Sequence, residues 1–220
     1  MNERIVFKEI PVNITSKDLE GNLGRRVGRL KLDEYLPIVN RVAKPKAIIR
    51  WVESEVIDEN HVIVDGHEFE SVLLADKLKN LYRVVVYVAT AGDEIRTCEE
   101  IKSEAIKDML AGIVLRYARD WINTYLVKEL EMTEVSCLNP GSLPDWPVEN
   151  NHAICEIAGD IGEIGVSIND NGFMNPWNSS SGILFTGSPN YRNCNLCTKL
   201  NCIGRSAPFN KEEYKRLFKK

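Results

Sequence analysis

The sequence contains none of the segments that would place the chain in or across a membrane. No apolar run reaches the roughly 18 residues that a membrane-spanning helix needs. Residues 1–7 lack the long apolar core of a secretory signal peptide. We therefore predict a cytoplasmic protein without a membrane partner.

Motifs of several common catalytic classes are also missing. The chain has no Walker loop, no glycine fingerprint of dinucleotide-binding folds and no Gly-x-Ser-x-Gly elbow, so no motif supports nucleotide hydrolysis or serine-ester chemistry. The C-x3-C-x2-C spacing of many radical enzymes is absent as well. With 28 basic and 32 acidic residues the net charge is −4, and no basic excess indicates a nucleic-acid partner.

The remaining composition is that of a folded protein, with 44% hydrophobic and 27% charged residues among 220. Apolar runs predict strands at 4–10, 47–57, 61–66 and 83–92, the last covered on both faces. Apolar periodicity predicts a helix starting at Pro37 and a long helix from Asp93 to about Glu131. Beyond residue 135, turn residues separate short predicted strands at 162–168 and 181–186, and a last helix follows at 210–220.

Six cysteines are present, and three of them form a C-x2-C-x4-C motif at Cys194, Cys197 and Cys202. Disulfides are rare in the cytoplasm, so thiols this close together favour a metal site. The spacing is compatible with a [4Fe–4S] cluster, with structural zinc, or with reduced thiols in a loop. Zinc sites usually use a second C-x2-C pair or histidines, and the three histidines lie far away in sequence.

A cluster held by thiolates needs a fourth ligand besides these three cysteines. Cys137 precedes a Pro-Gly turn, where side chains are usually accessible, and it is the preferred candidate. Cys155 has the sequence context of a buried strand residue, and Cys98 lies near the start of the long predicted helix. We therefore predict a metal site formed by Cys137 with the three cysteines of the motif.

The Pro-Gly turn belongs to a segment rich in turn residues, 139–149, which predicts a rigid surface loop suited to a bulky ligand. This segment resembles part of the activation domain of vitamin B12-dependent methionine synthase in its stand-alone form. The cysteine motif and three further stretches share this resemblance: 164–168, 172–176 and 179–183. The strand at 83–92 and the helix after it also fit. The resemblance covers residues 70–206 well, leaves 1–65 as a loosely matching N-terminal part of one domain (1–220), and places 190–206 in a cysteine-rich tail loop.

The resemblance implies an α+β fold, a twisted antiparallel sheet with flanking helices. It also implies a domain that caps cobalamin, binds S-adenosylmethionine and supports reductive remethylation of oxidised cobalt. Two positions depart from the family. Cys137 replaces an arginine that holds the carboxylate of S-adenosylmethionine, and Ser142 replaces a tyrosine that reaches toward the corrinoid. Both departures argue against S-adenosylmethionine binding, and the first favours Cys137 as a metal ligand.

We therefore predict an accessory protein that docks on a corrinoid protein and reactivates it through an iron–sulfur cluster. Two alternatives remain open, a non-redox binding module with structural zinc and an S-adenosylmethionine-binding reactivation domain. The predicted docking surface carries residues from the Pro-Gly segment and one methionine, a residue type that is more often found in core or loop packing: Pro140, Gly141, Ser142, Asp145, Trp146 and Met174.

Overall fold

In a computed structural model the chain forms a seven-stranded antiparallel sheet with helices on both faces. The structure describes residues 3–19, 31–188, 191–200, 205 and 207–219. Within these ranges the strands are β1 (Arg4–Phe7), β2 (Lys46–Val56), β3 (His61–Val64), β4 (His67–Glu70), β5 (Arg83–Thr90), β6 (Ser136–Leu138), β7 (Ser167–Ile168), β8 (Met174–Asn175) and β9 (Ser179–Phe185). The α+β fold class with a flanked antiparallel sheet is confirmed.

Seven α-helices lie in the same described ranges, and four 3-10 turns lie at Leu32–Tyr35, Val148–Asn150, Ile161–Ile164 and Asn193–Asn195. None of these helices is long and apolar enough to cross a membrane. The α-helices are α1 (Ser16–Leu19), α2 (Leu36–Val42), α3 (Val72–Leu78), α4 (Glu94–Thr97), α5 (Glu104–Glu129), α6 (Asn151–Ala158) and α7 (Lys211–Phe218).

The strand order of the main sheet is β4-β3-β2-β5-β9-β6, and β1 pairs with β2 beside this path. β5 lies in the middle, between β2 and β9, and both pairings are antiparallel. The remaining two strands, β7 and β8, form a separate short ladder. The β6–β9 pairing places Cys137 opposite Leu184 and so brings the start of the Pro-Gly loop beside β9.

The side chains of β5 alternate between two hydrophobic cores. Val84, Val86 and Val88 face a core that α3 and α6 cover. Val85 and Tyr87 face the opposite core, which α5 covers with Ala118, Ile122 and Leu126. Because helices cover both faces, every residue after the first in β5 is buried, as the continuous apolar run predicted.

The predicted helix from Asp93 to Glu131 is interrupted, which corrects the sequence interpretation. α4 ends at Thr97, and the backbone of Cys98 is extended. α5 begins after Ser103, whose hydroxyl accepts a hydrogen bond from the backbone N–H of Ile106. Apolar periodicity continues across the break because Ile95 and Ile101 pack into the same core on either side of it.

Two further local predictions were wrong. Cys155 lies in α6 and not in a strand, although it is buried as expected and burial raises the pKa of its thiol to about 11. The segment 162–168 forms the 3-10 turn Ile161–Ile164 and only two strand residues, because Gly165 adopts a left-handed conformation with φ of 73°.

Candidate functional site

A cleft of about 340 Å³ opens between the Pro-Gly loop, the segment that carries β8, and the first residues of β9. Polar groups and aromatic rings share its walls. The lining residues are Arg119, Val148, Asn151, Phe173, Met174, Trp177 and those at 139–142 and 179–181.

One wall is the Pro-Gly loop, which turns tightly directly after β6. Gly141 has a φ of 73°, and its backbone N–H donates to the Trp146 carbonyl at 2.8 Å. A Cβ at Gly141 would lie 3.1 Å from the Cβ of Val148, so the loop and the following 3-10 turn are packed closely. This wall is therefore a tight and closely packed turn, as expected from its density of turn residues.

The opposite wall is held by three groups of hydrogen bonds. Asn169 accepts from the backbone N–H groups of Asn171 and Phe173 through its side-chain oxygen. Asn151 donates from Nδ2 to the Gly172 carbonyl at 2.9 Å, and the Asn178 carbonyl accepts from a backbone N–H after β5. Phe173 and Trp177, at the mouth of the cleft, project from this wall.

At the floor of the cleft, α5 supplies the guanidinium of Arg119. Its Nη2 lies 3.4 Å from Asn139 Oδ1 and 3.7 Å from Cys137 Sγ. Asn139 in turn donates from Nδ2 to the Tyr87 hydroxyl and to the Ser181 carbonyl, both at 2.6 Å. Helix α5 and strands β5, β6 and β9 thus meet in one hydrogen-bonded network.

A charged guanidinium lies beside a neutral phenol at this floor. Burial raises the pKa of Tyr87 far above its ordinary value, so its hydroxyl stays neutral. The pKa of Arg119 is also raised, so its guanidinium stays charged. Among the described residues, the side-chain hydrogen bonds of this half-buried guanidinium go to Cys137 and Asn139, and Asp120 is a nearby carboxylate. An anionic group that enters the cleft can therefore form a charge-assisted hydrogen bond with this guanidinium.

Four of the six residues predicted for ligand docking line this cleft: Pro140, Gly141, Ser142 and Met174. The other two lie elsewhere. Asp145 accepts from Ser71 Oγ at 3.0 Å and from the Leu73 backbone N–H at 3.1 Å, which places it at the start of α3. Trp146 is fully buried, and its ring lies edge-on to that of Phe69 at 5.7 Å.

The cysteines of the predicted metal site are only partly described. Cys137 lies in β6, where its thiol is 3.5 Å from the Tyr87 hydroxyl and 3.2 Å from Asn139 Oδ1. Cys194 and Cys197 lie in and after the 3-10 turn Asn193–Asn195, and Cys202 lies outside the described residues. The part of the chain that the structure describes contains no group of three His, Cys, Asp or Glu residues placed to hold a metal ion.

Arg205 organises the loop that carries Cys194 and Cys197. Its Nη1 donates to the carbonyls of Cys194 and Ala207 at 2.6 and 3.1 Å, and its Nη2 donates to those of Cys197 and Lys199 at 2.7 and 3.1 Å. A guanidinium with four carbonyl acceptors fixes the conformation of a short loop through its planar geometry.

The cysteine loop also connects to the floor of the cleft. Asn193 donates from Nδ2 to Asn139 Oδ1 at 2.7 Å. Burial raises the pKa of Tyr191, which lies at the start of this loop. The Pro-Gly loop and the tail loop, which are distant in sequence, are therefore neighbours in the fold.

The sequence interpretation missed Arg119, Tyr87 and Asn139. One signal for Arg119 was present, because it lies three residues before Ile122 and seven before Leu126, on the apolar side of α5. A charged residue at such a position often has a specific partner. Tyr87, in the middle of an apolar strand, carried no comparable signal.

No protein-family model and no curated protein sequence matches the chain. Thirteen chains of known structure are similar to it. One of them is the MetH reactivation domain in a crystal structure with bound AdoHcy, with a TM-score of 0.58 and 16% sequence identity. The match covers 83% of the present chain and 73% of that chain. The activation-domain fold that the motifs implied is thereby confirmed.

Proposed function

We propose that this chain is an accessory module of cobalamin-dependent methyl transfer, which binds S-adenosylmethionine or S-adenosylhomocysteine in its cleft and supports reactivation of a corrinoid on a partner protein. The shared fold supports this proposal, because the similar MetH reactivation domain was crystallised with AdoHcy. The cleft supports it independently through its chemistry. A charged guanidinium lies at its floor, hydroxyl groups along one wall and aromatic rings at its mouth.

The position of Arg119 is the observation that carries the proposal. The family resemblance expects a guanidinium at position 137, where this sequence has cysteine. In the structure the Arg119 guanidinium approaches that same position from α5, with Nη2 3.7 Å from Cys137 Sγ. The carboxylate contact that appeared to be lost can therefore be made by an arginine of another element.

The other residues of the floor hold Arg119 in place. Asn139 accepts a hydrogen bond from Arg119 and is anchored on β5 and β9 by its own donor group. Ser180 Oγ lies 2.9 Å from the Tyr87 hydroxyl and lines the cleft. A fixed guanidinium binds a carboxylate at a lower entropic cost than a mobile side chain does. In the proposal, residues 140–142 form the rim that faces the corrinoid protein.

Ligand binding to the purified full-length chain tests this proposal. Calorimetric titration with S-adenosylmethionine and with S-adenosylhomocysteine is expected to show one site per chain for each ligand. Adenosine triphosphate, which has the same base but a different anionic group, is the control and is expected to bind more weakly. If neither adenosyl amino acid binds at millimolar concentration, the proposal is wrong.

As a second candidate, we propose that Cys137, Cys194, Cys197 and Cys202 hold a [4Fe–4S] cluster, with structural zinc as the competing occupant. The hydrogen bond between Asn193 and Asn139 favours this candidate, because it brings the tail loop beside the β6 residue Cys137. The described thiols alone do not complete a metal site. When bound, such a cluster supplies one-electron transfer, which is the chemistry that a corrinoid needs for reductive reactivation.

Metal content distinguishes these occupants. Anaerobically purified protein is expected to contain about four iron and four sulfide per chain if the cluster is present, whereas one zinc without iron indicates a structural site. Cys137→Ser is expected to lower the iron content and the visible absorbance, because it removes a ligand. Cys98→Ser is the matched control and leaves both unchanged. Full iron in the Cys137→Ser protein would exclude Cys137 as a ligand.

A further inference from the structure

Two aromatic side chains at the mouth of the cleft are exposed to solvent and stacked on each other. The rings of Phe173 and Trp177 have centroids 5.9 Å apart and an interplanar angle of 23°. Trp177 is 69% exposed and Phe173 42% exposed, although large apolar side chains are usually withdrawn from water. Both residues also line the cleft, so their exposed surface lies at its entrance.

The backbone around this pair is closely held. A Cβ at Gly172 would lie 2.5 Å from the Val148 carbonyl oxygen, so this segment packs directly against the 3-10 turn Val148–Asn150. The hydrogen bonds of Asn151 and Asn169 tie the same segment to α6 and to its own turn. The aromatic pair is thus presented by a rigid segment, which reduces the entropic cost of binding a ring against it.

The two ends of the cleft differ in chemistry. Arg119 provides a positive charge at the floor, and Phe173 and Trp177 provide an apolar, flat surface at the mouth. A ligand that matches both ends has a carboxylate at one end and a planar heterocycle at the other. An adenosyl amino acid has this arrangement.

We infer that Phe173 and Trp177 form a platform on which the purine ring of the adenosyl ligand stacks, and this inference rests on the proposed function. Stacking of a base on an aromatic side chain depends on ring area and not on hydrogen-bond pattern, so a neutral exposed tryptophan is sufficient. The platform then determines specificity for the nucleoside part of the ligand, while Arg119 determines it for the amino-acid part.

The inference predicts that Trp177→Ala weakens binding of S-adenosylhomocysteine by at least about tenfold, as expected for loss of one stacked base. Trp177→Phe keeps a stacking surface and is expected to remain within about threefold of the unchanged protein. Tyr82→Ala is the matched control, because Tyr82 is equally exposed at 69% and does not line the cleft. Circular dichroism checks that each variant folds.

Tryptophan fluorescence gives a second measurement on the same proteins. The sequence has four tryptophans, and Trp177 is the one whose ring would contact the ligand. S-adenosylhomocysteine is expected to quench emission of the unchanged protein but not of Trp177→Phe, although that variant still binds.

An unchanged affinity of Trp177→Ala for this ligand would overturn the platform alone. Weaker association of that variant with a corrinoid protein, at unchanged ligand affinity, would assign the aromatic pair to partner docking. Failure of the unchanged protein to bind any adenosyl ligand would overturn the proposed function together with the platform.

Discussion

Replacing Arg119 with methionine is expected to weaken the binding of S-adenosylhomocysteine by about 100-fold, which corresponds to about 3 kcal/mol. Methionine keeps most of the side-chain length but removes the charge and all donor groups. Arg119→Lys retains the charge without the planar fork and is expected to give a smaller loss, about tenfold. Titration calorimetry measures both effects. Because Arg119 contacts Cys137 and Asn139, urea unfolding of each variant must accompany the titrations.

A ligand without a carboxylate tests whether Arg119 acts where the proposal places it. 5′-Methylthioadenosine has the purine and the thioether but no amino-acid part. Arg119→Met is expected to leave the affinity for this ligand unchanged, because the ligand has no carboxylate for Arg119 to contact. Arg116→Met is the matched control on the same helix, since Arg116 donates to the Asp18 carbonyl and does not line the cleft. Equal losses for both ligands would mean that Arg119 only maintains the structure of the floor.

Gly182→Ala is expected to lower the free energy of unfolding by about 3 kcal/mol or more, as for overpacking against a rigid backbone. A Cβ at this position would lie 2.1 Å from the Leu138 carbonyl oxygen and 2.8 Å from Asn139 Nδ2. Neither β6 nor β9 can move away easily, because Leu138 and Ile183 are fully buried between helices and sheet. The substitution must separate the two strands and break the hydrogen bond from Asn139 to Ser181.

Urea unfolding curves measure this loss, and Gly112→Ala is the control for the chemical change itself. Gly112 lies within α5 with solvent on its open side, and the nearest atom to an added Cβ is 3.9 Å away. Alanine there is expected to raise the free energy of unfolding by about 0.5–1 kcal/mol. A Gly182→Ala protein as stable as the unchanged one would contradict the close approach of β6 to β9.

The family resemblance predicted the fold correctly although each of its motifs was short. It relied on the order of segments along the chain, and the fold is confirmed by a structural match with only 16% identity. The resemblance also assigned the carboxylate contact to one sequence position. A guanidinium can also reach the neighbourhood of that position from another element, as Arg119 does from α5. Where several elements meet, a side chain from one element can occupy the position that a sequence motif assigns to another.

Asp145 and Trp146 show that membership in a motif also does not determine whether a residue lines the cleft. They belong to the turn-rich segment that forms the cleft, yet Asp145 caps α3 and Trp146 packs on Phe69. Adjacent residues of a tight loop point in different directions, and only the packing around the loop determines which of them reach the cleft. Pro140 and Ser142 line the cleft, but the sequence alone could not distinguish them from Asp145 and Trp146, which do not.

Most of the helices and strands could be predicted from the sequence, because local interactions determine them. The continuous apolar run of β5 and the proline in the first turn of α2 act through neighbouring residues, and the structure contains both. The candidate site depends on Tyr87 in β5, Arg119 in α5, Ser180 in β9 and Asn139 directly after β6, which lie up to 93 residues apart. Their meeting is decided by the antiparallel register of β5, β9 and β6 and by the packing of α5 across that sheet. Tertiary structure alone sets these relations, because they arise from pairing and burial between segments that have no contact along the chain.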